Sequence, residues 1–300
     1  MASLKEVRGR IVSVNSTQQI TKAMKMVAAA KLKRAQDNII KIRPYTQKLD
    51  EILHNITSSL DSSFENQYSV TREPEKILLV VVTSDRGLAG AFNTNIIKAT
   101  NYFLENHYRE QHNAGNVTLL CIGKKGADAF KKRSDVKVIN DYATLFSDLV
   151  FDNVRKAAEY AMDSFVKGEY DKVEIVYNEF KNAAVQVVRR ENFLPLVDEE
   201  KEEGQEEQNA QGFGTDYIFE PSKTEIVNEL IPKSLKIQFY KALLESNASE
   251  HGARMTAMDK ATENAKELLK ELRLSYNRTR QAAITTEILE IVGGAEALNA

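Results

Sequence analysis

"ITKAMKMVAAAKLKRAQ", residues 20–36, joins closely spaced lysines to a run of small side chains. Three readings compete for it: a targeting peptide, a nucleic-acid-binding arm, or one strand of a long coiled coil. Outward from this stretch, at alternating three- and four-residue steps, lie Leu4, Val7, Ile11, Val14, Gln18, Thr21, Lys25, Ala28, Leu32, Ala35, Ile39 and Ile42. That is a heptad seam with a polar gap in its middle. A secretory signal needs a continuous apolar segment, which is missing, and a transit peptide has no need to hold a core register over so long a stretch. Pro44 removes an amide donor and clashes with the preceding turn, so a kink or interruption is expected there. "KLDEILHNITSSL" then resumes helical spacing to about residue 60, and "DSSFENQYSVTREPEK" reads as a connection.

The far end repeats the alternation through Met258, Ala261, Ala265, Leu268, Leu272, Ser275, Thr279, Ala282, Thr286 and Leu289, with no Pro or Gly between them. Both seams are light, rich in Ala, Ser and Thr. Each small residue buries roughly a few tenths to 1 kcal/mol of hydrophobic free energy against about 2 for a Leu. Antiparallel pairing of the two ends is the economical arrangement, because it brings the termini together and leaves the middle of the chain free to form a domain. Two helices packed independently on that domain remain the alternative.

The middle has a different rhythm. "KILLVVVTS" (76–84), "NVTLLCIG" (116–123), "VKVIN" (136–140) and "KVEIVYNEF" (172–180) are mostly continuous apolar runs, the pattern of strands covered on both faces. "AAVQVVRRENFLPL" (183–196) alternates better and suits an edge strand. Helical segments lie between them, so a small α/β sandwich with a mostly parallel sheet is expected. The organisation read from this is an N-terminal helix over 1–60, an α/β domain over 75–197 and an acidic loop over 198–214. A C-terminal helical segment over 222–300 follows, with the coiled coil starting near 234 because Pro232 marks a bend or a new start.

Composition narrows the function classes. Apolar residues make up 42% and charged residues 28% of the 300, and Trp is absent, as in a helical, folded protein. No apolar run approaches the length that crosses a bilayer, so any membrane association would be peripheral. The single Cys121 lies in "VTLLCIG", where a buried, inert thiol is the simpler reading. Net charge is −2, yet residues 1–50 carry eleven Lys or Arg against three acids, 11 − 3 = +8. Clustered cations suit phosphate neutralisation, but they suit an acidic protein sleeve equally. "VVTSDRGLAGAFN" (81–93) follows a strand and opens a helix, yet it has neither dinucleotide nor P-loop glycine spacing. Gly87 and Gly90 are read as permitting a tight turn or a close helix approach, and Asp85 as a solvated turn residue. His54, His107, His112 and His251 have no metal-ligand spacing. No catalytic, cofactor-binding or metal residues are therefore assigned. The first ten residues of the acidic stretch, "DEEKEEGQEE", hold seven acids and one Lys and read as a solvated loop.

"MASLKEVRGRIVSVNSTQQITKAMKMVAAAKLKRAQ" and "SYNRTRQAAITTEILEIVGGAEAL" closely resemble the two ends of the gamma-subunit family of the F1 part of F-type ATP synthase, and the resemblance extends across essentially the whole chain. "SDRGLAGAFN" is similar to the family's first-strand loop, although the family often has a bulkier residue or Cys where this chain has Ala89. The resemblance implies a fold with an antiparallel coiled coil of N- and C-terminal helices and a central Rossmann-like α/β domain. It implies a non-catalytic central rotor shaft that couples ion-driven rotation of a membrane c ring to ATP synthesis or hydrolysis on beta subunits. The implied partners are three alpha and three beta subunits, an epsilon subunit and the c ring. Beta-subunit contacts carry over to Met24, Lys25, Lys31, Arg280, Gln281, Thr285 and Glu287, with Lys25 and Arg280 meeting acidic loop residues. Epsilon or c-ring contacts carry over to Tyr217 and Glu220. The absence of a presequence and of paired cysteines points to a bacterial protein, peripheral on the cytoplasmic side of the plasma membrane. The rival class is a non-catalytic coiled-coil scaffold or nucleic-acid-associated adaptor.

Overall fold

The computed structural model describes residues 3–57, 66–196 and 222–299; Tyr217, Glu220 and the acidic stretch 198–214 lie outside them. The chain divides into two compact units, one formed by residues 31–253 and the other by residues 1–30 with 254–300.

The larger unit is built on a sheet. Its strands are β1 (Ile77–Val82), β2 (Val117–Ile122), β3 (Lys137–Ile139), β4 (Lys172–Phe180) and β5 (Gln186–Leu194), in the order β3-β2-β1-β4-β5. The first four are parallel, and β5 returns antiparallel along β4 as the edge. Successive residues of a strand point to opposite faces, so the unbroken apolar run of β1 supplies two cores at once. Leu78, Val80 and Val82 pack on helix α5 (Phe151–Val166) and on Val227, Leu235 and Phe239. Ile77, Leu79 and Val81 pack on the other side against Ile96 and Phe130, from α2 (Phe92–Tyr102) and α4 (Lys124–Phe130). Between α2 and β2 lie a π-helical turn, Phe103–His107, and the short α3 (Arg109–Asn113).

Polar groups inside this unit are mostly matched. Glu174, on β4 and nearly inaccessible, has Lys172 at 2.9 Å and Arg190 at 3.8 Å. Tyr177 donates from its hydroxyl to Glu191 at 2.8 Å, and the Gln238 amide donates to the other Glu191 oxygen at 2.7 Å. Burial pushes the Cys121 thiol up to about 12, so it stays protonated and unreactive.

Neither Pro44 nor Pro232 interrupts its helix. Helix α1 runs unbroken over Leu4–Thr57 with Pro44 inside it, and α6 runs over Lys223–Asn299 with Pro232 inside it. A helix-interior proline costs about 3 kcal/mol through its lost hydrogen bond and ring clash. Around Pro232 that cost is offset by Val227, Ile231 and Leu235, all buried in the core. Pro44 is exposed, and the Thr46 hydroxyl two residues on donates to the Arg43 carbonyl at 2.8 Å. The α/β unit also takes in more chain than the sheet alone: Leu32, Ala35 and Leu49 of α1 and Val227, Leu235, Phe239, Leu243 and Ala253 of α6 are buried in it.

Candidate contact surface of the helical pair

The smaller unit is an antiparallel pair made from the first part of α1 and the last part of α6. Its rungs are explicit. Lys25 Nζ lies 2.5 Å from Asp259 Oδ1, and the Thr21 and Thr262 hydroxyls meet at 2.8 Å. Every expected seam position from Leu4 to Ala28 is buried or half-buried, so the N-terminal register is the one the periodicity predicts.

The C-terminal register differs at alternate positions. Met258, Ala261, Ala265, Leu272 and Thr279 are buried or half-buried as expected, with Thr262 beside Ala261, but the places expected of Leu268 and Ser275 belong to Leu269 and Tyr276. Leu269 is 5% exposed while Leu268 is 45% exposed, and Ser275 points to solvent. Both leucines satisfy an apolar spacing, so periodicity alone cannot choose between them; the partner helix does. Ala282, Thr286 and Leu289 are exposed for a separate reason. Carried along the helices, the offset of the Thr21–Thr262 rung sets Leu4, where α1 begins, opposite Thr279. Beyond that point α6 has no partner among the described residues of the unit, and Ile284, Ile288, Leu289, Ile291 and Val292 are each about half exposed or more.

The residues carried over by resemblance separate into levels. Met24 and Lys25 sit on the paired section, both half-buried. Arg280, Gln281, Thr285 and Glu287 sit on the unpaired end, fully open, with the Thr285 hydroxyl donating back to the Gln281 carbonyl at 2.9 Å. Asp259, across from Lys25, and Arg280 are separated by roughly 30 Å of helix at 1.5 Å per residue. Lys25 is not a free cation: it is spent on Asp259, with about 40% of its side chain still accessible. Lys31 belongs to the larger unit, where it is exposed. Periodicity passes over Val12, Ile20, Met26 and Val27, apolar residues off the seam and more than half exposed. Their signal was present as apolar positions on the wrong face of a heptad.

The α/β unit closes the places where a nucleotide would sit. In a doubly wound sheet that place is the crevice at the carboxyl ends of the strands where the strand order reverses, here between β1 and β4. Helix α6 fills it: Ala253 packs on Ala89 and Phe92, and a side chain at Gly252 would press on the Ala183 backbone at 3.2 Å. The amides opening α4 are also taken. Lys124 N–H donates to Asp85 Oδ1 at 3.2 Å, Lys125 N–H to the Ser84 carbonyl at 3.0 Å, and Gly126 N–H to the Thr83 hydroxyl at 2.8 Å. Asp85 is thus a cap for α4, a role its place after the first strand did not disclose. Leu88, in the same loop, holds a left-handed φ of 62° and is 64% exposed, a conformation rarely kept by a bulky residue. His112 meets Asp135 at 3.0 Å beside Arg133, and that guanidinium holds the Asp135 carboxyl well below the usual carboxylate range.

Among the described residues no helix is long and apolar enough to cross a membrane. A family model described as ATP synthase matches residues 3–298. An ATP synthase gamma chain from Cytophaga hutchinsonii is 63% identical over 301 residues, covering 100% of both chains. Another from Christiangramia forsetii is 54% identical over 299 residues, again covering 100% of each. Among solved structures, a chain of the Euglena gracilis mitochondrial ATP synthase (OSCP/F1/c-ring, rotational state 3) superposes with TM-score 0.64 at 26% identity, over 98% of this chain and 94% of that one. A chain of the Tetrahymena thermophila mitochondrial ATP synthase central stalk and c ring gives TM-score 0.55 at 26% identity, over 81% and 99%.

Proposed function

Since this chain belongs to the ATP synthase gamma-chain family, we propose that it is the central rotor shaft of an F-type ATP synthase and performs no bond chemistry itself. It turns within a ring of three alpha and three beta subunits. Its other partners are epsilon and the c ring, whose ion-driven rotation it carries to the catalytic beta sites. ATP hydrolysis at those sites drives it in reverse.

The observation that carries this reading is the paired section of α1 and α6 continued by a single exposed helix bearing Arg280, Gln281, Thr285 and Glu287. A cross-section of one or two helices has no threefold symmetry, so three equivalent sites around it meet three different faces at any angle. A rotor biases those sites only through the difference in free energy with which it binds their states. Contacts at two levels, Met24 with the exposed face of Lys25 and then Arg280 to Glu287, would define an axis of turning. Small and polar residues there let contacts be exchanged at modest cost. Lys31 joins the set as an exposed cation, and Tyr217 and Glu220 are assigned to epsilon or the c ring. Family membership supports assigning the chain as a peripheral component on the cytoplasmic face of a bacterial plasma membrane.

The test is reconstitution with alpha and beta subunits and a visible probe fixed to the α/β unit. ATP is expected to drive unidirectional rotation, whereas steady hydrolysis without rotation refutes the assignment. Replacing Arg280 and Gln281 by Ala is expected to lower coupled turnover while leaving the unfolding midpoint unchanged, since both side chains are exposed. Unchanged coupling removes them from the contact set.

A further inference from the structure

We propose that the polar gap in the helical pair is a register lock, in which Lys25 and Thr21 of α1 select one alignment of α6 through Asp259 and Thr262. The seam around the gap is poor at this task. Val7, Val14, Ala28, Met258, Ala265 and Leu269 all lie in one heptad frame, and apolar residues of small or middling size tolerate an apolar neighbour one heptad along better than a polar one. Within the pair, the gap is what distinguishes the alignments; farther back, α6 is also held by Ala253 on Ala89 and Phe92. In the observed one, Lys25 faces Asp259 at 2.5 Å and Thr21, 8% exposed, places its hydroxyl 2.8 Å from that of Thr262. Slipping α6 by one heptad in one direction would bring Lys25 against Lys266 and Thr21 against Leu269. The first is a like-charge encounter, and the second sets a hydroxyl against an apolar partner. A slip in the other direction would set Lys25 opposite Gly252, which has no side chain to answer it. A polar group at a core position commonly costs stability and gains alignment in return.

The consequence for the rotor rests on the function proposed above, but the alignment itself does not. A one-heptad slip would move Arg280 to Glu287 by roughly 10 Å relative to Met24, and the two contact levels would no longer match their ring. Lys25 is therefore a positioning residue: it sets where other side chains stand.

The alignment can be read by cross-linking in the full-length chain, independently of any rotation assay. Val14→Cys with Leu269→Cys reports the observed alignment, and Val14→Cys with Tyr276→Cys reports the slipped one. In the otherwise unaltered chain only the first pair is expected to bridge under mild oxidation. Lys25→Glu would repel Asp259 and, after a slip, attract Lys266. It is expected to lower the first bridge several-fold and bring the second up from background. Adding Asp259→Lys is expected to restore the first. An undiminished first bridge in Lys25→Glu overturns the proposal. So does its loss without the second, which would make the pair a stabiliser and not a selector, and so does failure of the charge swap to restore it. Should Lys25→Glu lose helix content, Lys25→Gln takes its place, with a smaller yield of the second bridge expected and none overturning the proposal.

Discussion

The two units of this chain solve the problem of burying a surface in opposite ways. In the α/β unit, β1, β2 and β4 are buried on both faces, while the short β3, expected to be covered likewise, has Lys137 exposed and Val138 and Ile139 half-buried; large side chains such as Phe130, Phe165, Phe193 and Phe239 are fully enclosed. In the helical pair the enclosed residues are few and mostly small, and the middle of the seam is polar. Dense packing makes a substitution felt at once through cavities and clashes. A light seam loses little at any single position and depends on specific pairs for its alignment. The contrast teaches that stiffness and precise alignment can be assigned to different parts of one chain, and that helices α1 and α6 serve in both.

Five substitutions probe that contrast, beginning with the one expected to do most. Gly123 holds φ 98° at the start of α4, and a Cβ there would run into the Thr83 carbonyl. Gly123→Ala is expected to cost more than about 3 kcal/mol, read as a large fall in the unfolding midpoint of the α/β unit. A change under about 1 kcal/mol would show that Thr83 and the turn can yield. Leu79→Ala opens a cavity in the sheet core and is expected to cost about 3 to 4 kcal/mol by denaturant titration.

In the helical pair the expected costs shrink and become face-specific. Leu269→Ala should cost about 2 kcal/mol, while Leu268→Ala, one residue earlier on the exposed side, should stay within about 0.5 kcal/mol. Hydrogen exchange along residues 260–275 separates the two. Equal effects would mean that the seam does not choose between the leucines.

The smallest effect concerns charge inside the α/β unit. Burial raises the Glu245 carboxyl above its ordinary range, with Glu179 and Glu191 adding to the rise while Lys241 and Arg189 oppose it. A raised folded-state pKa means that the stabilising proton is fully present in acid and lost as pH climbs through that pKa. At neutral pH the ionised carboxylate is therefore a burden. Glu245→Gln is expected to raise the unfolding midpoint slightly there, and its advantage should close as pH falls. A midpoint that drops at neutral pH would show that Lys241 or Arg189 dominates.

Local pattern carried much of this fold. The continuous apolar runs marked β1, β2 and β4 as doubly covered strands, and the alternation in "AAVQVVRRENFLPL" marked β5 as the edge, because side-chain period is a property of neighbouring residues. The α1 seam was legible for the same reason, as were the chemical types at Met24, Lys25, Arg280 and Gln281. Resemblance, not periodicity, singled those four out.

Other features depended on residues far away in sequence. Whether Pro44 and Pro232 break a helix depends on what surrounds the turn, and at Pro232 a buried core outweighs the lost hydrogen bond. Leu268 and Leu269 are chemically identical, so only the facing helix decides which is inside. The loop holding Asp85 has the position of a ligand-binding turn, yet only the assembled unit sets α6 into the crevice and Asp85 on the first amide of α4. Lys25 is the plainest instance. Its charge was evident from the sequence, but its partner, Asp259, is 234 residues away. Which of many acids a lysine meets is decided by the alignment of two helices, a tertiary choice that no local pattern encodes.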